Sequence, residues 1–238
     1  MRPPLICLTG VDGCGKSTQA RILKERMEDS GWETATVWTG GRPYVSRPLV
    51  RLVKRRLRAP VQQDDGSFEA RTAGAEPSDE FGEYLSKSNA MFQQYWPLRR
   101  GWTDVSLTEH AIEANLAVQP HLRAGRAVIC DRYIFKSIVN LAILLDIELT
   151  ALPGLLRHPA VALVPRPDLY FLMDLPAEVA AARKTDLPSL EYVARRVPVY
   201  RALAAYARMP VVDATQTPEV VAERIWAEVS ERIRGASR

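Results

Sequence analysis

The chain has 238 residues, 47% of them hydrophobic and 25% charged, with a formal net charge of +4. This composition excludes a charge-expanded, unfolded chain and fits one compact domain with room for an insertion; the mild basic excess is compatible with an anionic ligand without identifying one. No apolar run approaches the roughly 20 residues that span a bilayer, and the N-terminal MRPPLICLTG is too short an apolar run for a secretory leader.

In chain order, PLICLT (4–9) reads as a buried strand, and KSTQARILKERMEDSG (16–31) as a helix ending at a glycine. ETATVW (33–38), RAVICD (126–131), DLYFLMDL (168–175) and MPVVDA (209–214) are further strands. Helical patterns are expected at about 86–100, 104–124, 135–146, 176–184, 190–207 and 217–234. Strands alternating with helices predict an α/β domain, a five-stranded parallel sheet with helices on both faces. Cys7, Cys14 and Cys130 form no CxxC pair and no metal-ligand spacing. Cys7 and Cys130 fall in predicted buried strands, as small core residues would. A reducing, cytoplasmic setting is expected, with no nucleic-acid or membrane partner.

One region breaks the rhythm. RPYVSRPLVRLVKRRLR (42–58) carries seven basic residues and no acid; DDGSFEARTAGAEPSDEFGE (64–83) carries seven acids, one arginine and three glycines. A basic helix followed by an acidic, glycine-rich loop predicts a partly mobile insertion over 40–85. Its basic face is solvated opposite the acidic loop, a surface for an anionic substrate or partner, or a membrane-binding face.

The first loop carries chemistry. Gly10-Val-Asp-Gly-Cys-Gly15-Lys16-Ser17 fits G-x-x-x-x-G-K-S/T between a strand and a helix, the phosphate-binding loop. Glycines let backbone N–H groups approach phosphate oxygens, and the helix N-terminus points its dipole at the same place. Lys16 is placed to reach the β- and γ-phosphates, and Ser17 to offer a hydroxyl to Mg²⁺. Gly10, Asp12, Gly13, Gly15, Lys16, Ser17 and Thr18 are the candidate donor-binding residues, with ATP and Mg²⁺ as cofactors. Asp12 is out of place among phosphates: it meets the metal, meets a hydroxyl of a second substrate, or stabilises the turn. Farther on, Asp131, Arg132 and Tyr133 follow directly on a buried strand, at the sheet edge where ligands of open α/β folds bind. Asp131 is placed to organise the hydrated Mg²⁺ with Ser17, and Arg132 to fork onto a phosphate.

With these residues the chain resembles the thymidylate kinase family of P-loop nucleoside monophosphate kinases. GVDGCGKSTQ is similar to that family's phosphate loop, internal acid included. VQPHLRAGRAVICDRY resembles its Ala-Gly turn and Asp-Arg-Tyr signature, with Ser137 where that signature often has a serine. RPDLYFLMDLPAEVAAARK resembles the strand and helix before its lid, and VVDATQTPEVVAERIW its closing strand, adenine loop and last helix. The resemblance implies transfer of a phosphoryl group from ATP to a nucleoside monophosphate, dTMP foremost, by a homodimer. It implies that Asp12 contacts the acceptor sugar and that Lys16 and Arg132 hold the phosphates of donor and acceptor. The loop itself lacks an arginine, so cations must come from a candidate lid over 182–196, which offers Arg183, Lys184, Arg195 and Arg196; Arg183 joins Lys16, Arg132 and Asp131 in the expected catalytic set.

The acceptor region departs from the family pattern. TGGRPYVSRP stands where the family has an Arg-Glu-Pro-Gly-Gly run, leaving Arg51 as a weak candidate. Glu109 and His110 fall where the family has an Asp-Arg pair near the base. Phe92, Tyr95 and Trp96 either stack on a base or belong to the core. Two alternatives follow: a kinase of this fold with another nucleotide or phosphorylated metabolite as acceptor, and a non-catalytic nucleotide-binding protein with a short lid.

Overall fold

The computed structural model describes residues 2–40, 77–184, 187 and 189–235, the short segments 61–62 and 68–69, and Arg47 and Arg55. Its main sheet joins β1 (Leu5–Thr9), β2 (Thr34–Trp38), β5 (Ala127–Asp131), β6 (Leu169–Asp174) and β7 (Val211–Asp213) in the order β2-β5-β1-β6-β7, every pairing parallel. This is the predicted five-stranded sheet. The central β1 is wholly buried, because both of its faces are covered by helices. Cys7 and Cys130 sit side by side in register as buried free thiols, and burial pushes the Cys7 thiol well up.

Two sets of helices cover the sheet. The helix α1 (Lys16–Asp29) packs against α10 (Pro218–Gly235), while α3 (Trp96–Arg123) packs against α4 (Ile134–Leu144) and α4 against α9 (Arg196–Ala207). Ahead of α3 lies α2 (Pro77–Gln94), and the two meet at Tyr95. The expected break between 100 and 104 does not occur. Gly101 costs an α-helix only about 1 kcal/mol, whereas Pro97 falls in the first turn of α3, where its missing N–H has no bond to make. Two short helices, α5 (Leu152–Leu156) and α6 (Pro159–Ala162), were not legible as periodic patterns. Each opens with a proline in its first turn, and His158 caps α6 by accepting the Ala160 N–H. After α7 (Ala177–Arg183), the single helix expected over 190–207 divides at Arg195 into α8 (Leu190–Ala194) and α9.

Of the expected insertion over 40–85, the described parts are Gly40, Arg47, Arg55, the N-terminal half of α2 and a two-residue antiparallel ladder. That ladder pairs Val61 of β3 (Val61–Gln62) with Glu69 of β4 (Phe68–Glu69). From Pro77 onward the expected acidic loop is helix instead, while the rest of it, the basic helix apart from Arg47 and Arg55, their mobility and the Arg51 assignment lie outside the described residues.

Candidate active site

The loop between β1 and α1 is pressed against the rest of the fold. Gly10 has φ +145°, and a Cβ there would lie 2.5 Å from the Met173 carbonyl oxygen at the end of β6. Gly13 has φ +88°, and its Cβ would lie 2.7 Å from the Ala180 carbonyl oxygen of α7. Only glycine allows both the dihedrals and the approach. Gly15 precedes α1 in the left-handed conformation, and no side chain caps the helix. The first N–H groups of α1 are therefore left for an anion.

Lys16 is buried, and its ammonium donates to the carbonyls of Gly10 at 3.1 Å and Val11 at 2.7 Å. The lysine thus ties the loop into a ring around itself. The Ser17 hydroxyl donates to Oδ2 of Asp131, while Oδ1 of Asp131 is buried without a partner among the described residues. An orphaned carboxylate oxygen beside a hydroxyl is a fitting pair of hard ligands for Mg²⁺, which keeps most of its shell for water and phosphate. No cluster of three or more His, Cys, Asp or Glu able to hold a metal occurs among the described residues. Thr18 is exposed in the first turn of α1.

Arg132 closes the opposite wall. Its φ of +71° is unusual for a side-chain-bearing residue. The conformation is held from both sides: its N–H donates to Leu8 O at 3.1 Å, and its carbonyl accepts the Thr39 hydroxyl at 3.0 Å. So fixed, the guanidinium pairs with Asp12. Burial works against the Asp12 charge, but Lys16, Arg132, Lys136 and Lys184 together outweigh it and hold the carboxyl below its usual range. Burial likewise opposes the Arg132 charge, and Asp12, Tyr200, Asp131 and Tyr192 together more than restore it.

The segment after α7 completes the site from above. Arg196 is buried, stacked with its guanidinium carbon 3.5 Å from the Tyr192 ring centroid, and donates to the Tyr192 carbonyl at 2.6 Å. The Tyr192 hydroxyl hydrogen-bonds Asp12. Tyr200 is buried, and burial, then the Asp12 charge, pushes its hydroxyl pKa up. Arg183 is occupied elsewhere, donating to the carbonyls of Ala214 at 2.7 Å and Thr215 at 3.2 Å. It braces the β7–α10 loop, where Asp213 accepts from the Thr215 backbone, the Thr215 hydroxyl and Gln216. Arg195 is exposed and pairs with Glu191.

The structure thus gathers Asp12, Lys16, Ser17, Asp131, Arg132 and Arg196, and places Arg183 at the β7 end. Of the aromatic trio, Phe92 is core, packed on Trp102, while Tyr95 and Trp96 face solvent. Glu109 and His110 are buried, and His110 Nδ1 lies 2.7 Å from the Ser137 hydroxyl. Burial, then the Lys136 charge, pushes His110 down to about 4, so the imidazole is neutral at pH 7. Sequence reasoning missed Thr39, Trp38, Tyr192, Tyr200 and Lys136. Of these, Lys136 had a signal: it is the one charged residue in the apolar run IFKSIV that follows Asp-Arg-Tyr.

A family model described as thymidylate kinase matches residues 105–225. A thymidylate kinase of Solidesulfovibrio magneticus is 26% identical over 241 residues, covering 94% of this chain and 97% of the relative. A probable thymidylate kinase of Pyrococcus abyssi is 27% identical over 248 residues, covering 99% and 100%. A thymidylate kinase of Thermomicrobium roseum is 27% identical over 244 residues, covering 98% and 97%.

Proposed function

The chain belongs to the thymidylate kinase family, and on that premise we propose that it transfers a phosphoryl group from ATP to dTMP, giving ADP and dTDP. The observation that carries this reading is the facing of two half-sites. The Gly10–Lys16 loop and its helix form one; Arg132, fixed at positive φ and paired with Asp12, forms the other.

Phosphoryl transfer asks little covalent chemistry of a protein and much positioning and charge. In this reading the backbone N–H groups at the start of α1 hold the donor phosphates. Lys16 leaves the Gly10 and Val11 carbonyls and takes phosphate oxygens instead. Ser17 and Asp131 would hold Mg²⁺, which when bound would neutralise charge on the phosphates. Arg132 and Arg196 face the acceptor, Arg132 binding its phosphate and Asp12 its sugar hydroxyl. Arg183 serves catalysis only by exchanging its carbonyl partners at residues 214 and 215 for a phosphoryl oxygen, which makes the 182–196 segment a lid.

The reading extends to a homodimer. On α3, Leu98, Val105, Ile112 and Leu116 form an exposed apolar stripe, with Leu116 69% exposed. Among the described residues no helix is long and apolar enough to cross a membrane.

The test is ADP release from Mg-ATP with a panel of mononucleotides. dTMP should be the best acceptor. A protein that turns over another mononucleotide and leaves dTMP untouched has the phosphoryl-transfer machinery and a different acceptor. The buried, neutral His110–Ser137 pair, where the family resemblance expects an arginine, is the feature that would then explain it.

A further inference from the structure

Lys136 stands in the first turn of α4, half-buried, with its ammonium 5.4 Å from the Trp38 ring centroid. The ammonium has no hydrogen-bond or ion-pair partner among the described residues. The groups around it come from every wall of the site. Asp12 and Lys16 approach from the phosphate loop and α1, Arg132 from the β5–α4 turn, Arg196 from α9, His110 from α3 and Trp38 from β2. Asp12, the carboxylate among them, is already taken by Arg132 and the Tyr192 hydroxyl. The ring of Trp38 is kept close by Gly40, at which any Cβ would fall 1.7 Å from that ring. A half-buried ammonium without a counter-ion among the described residues, beside other cations, is unfavourable until an anion arrives.

We propose that Lys136 is an acceptor-binding residue of this chain: its ammonium, with Arg132, clasps the phosphate monoester of the mononucleotide that receives the phosphoryl group. The proposal rests on the function proposed above and adds to it a residue that no resemblance supplied. A doubly charged phosphate meets both needs of the site, a partner for Lys136 and neutralisation of the Lys16–Arg132–Arg196 field. The surroundings already weaken the lone ammonium: burial, then Arg132, pulls the Lys136 pKa down to about 7.

The experiment compares wild type with Lys136→Met and Lys136→Arg. A lysine kept for the fold and a lysine kept for an anion differ in sign. Without ligand at pH 7, Lys136→Met should melt at or above the wild-type temperature, because an unpaired enclosed charge has been removed. With Mg-ATP saturating, its KM for dTMP should rise about 10- to 100-fold, the loss expected for one charge-assisted hydrogen bond. Its KM for ATP should stay within about 2-fold, and Lys136→Arg should recover part of the loss. A lower melting temperature for ligand-free Lys136→Met, or an unchanged KM for dTMP, overturns the proposal. If wild type turns over another mononucleotide and not dTMP, the acceptor reading fails, and the same KM comparison with that mononucleotide still decides Lys136. If wild type turns over none, inorganic phosphate is the probe. A phosphate-induced rise in melting temperature that shrinks in Lys136→Met supports the proposal, and equal rises refute it.

Discussion

Gly13→Ala separates the two reasons why the phosphate loop needs glycine. At φ +88° an alanine carries a backbone cost of about 1–2 kcal/mol, offset by about 0.4–1 kcal/mol through a less flexible unfolded chain. The second cost is contact. The new Cβ would sit 2.7 Å from the Ala180 carbonyl oxygen, 0.7 Å inside the 3.4 Å at which ordinary contact begins. That oxygen belongs to the backbone of α7, so relief requires the loop or the helix to shift, at about 1–3 kcal/mol. The sum is about 1–5 kcal/mol, or a melting point lower by roughly 2–18 °C for a domain of this size. Gly31→Ala is the control: Gly31 has φ +86°, yet nothing lies within 4 Å of its Cβ position. It should cost about 1 kcal/mol or less. Thermal unfolding of both variants, with turnover measured at saturating and limiting ATP, reads the difference. Gly13→Ala should also raise KM for ATP, since the loop that moves is the one proposed to hold the triphosphate, whereas Gly31→Ala should not. Equal melting points for the two variants would falsify the contact argument.

Lys16→Ala should lower turnover by about 10²–10³-fold or more while the chain remains folded, because its carbonyl partners can be rehydrated; near-normal turnover in a single-turnover assay would remove the loop from the mechanism. Asp131→Asn should raise the Mg²⁺ concentration for half-maximal activity by about 10-fold, since a carboxylate oxygen without a protein partner becomes an amide; an unchanged Mg²⁺ titration counts against the Ser17–Asp131 assignment. His110 gives a pH dependence of known sign. Its pKa in the folded protein, about 4, lies below the unfolded value near 6.5, so its contribution to stability is full above pH 6.5 and is lost as pH falls toward 4. Urea unfolding should show a loss on the order of 2–3 kcal/mol across that interval, smaller in His110→Gln; parallel slopes for the two proteins would place the imidazole in contact with solvent.

The sequence by itself determined the frame and one half of the site. Local patterns sufficed where neighbours in sequence are neighbours in space: the β1–loop–α1 unit with Lys16 and Ser17, and the strand that ends in Asp131-Arg132. Alternation of apolar runs with helical periods likewise gave five parallel strands, because a strand covered on both faces must be apolar throughout. The order of those strands was decided by tertiary packing, as was the meeting of Ser17 with Asp131 and of Asp12 with Arg132 across more than a hundred residues. Local rules also misplaced the α2–α3 junction, since a glycine inside a helix is tolerated when its neighbours are packed, and a proline is free at a first turn. Arg183 and Lys136 show the limit most clearly. A basic residue in a lid sequence reads as a phosphate ligand, yet the Arg183 guanidinium rests on two backbone carbonyls of the β7–α10 loop. Sequence reasoning passed over Lys136, yet it lies within the field of Asp12, Lys16, Arg132 and Arg196, three of which are remote from it in the chain. A side chain's charge is written in the sequence, but the partner that gives the charge its role is chosen by which distant elements the sheet brings to the same edge.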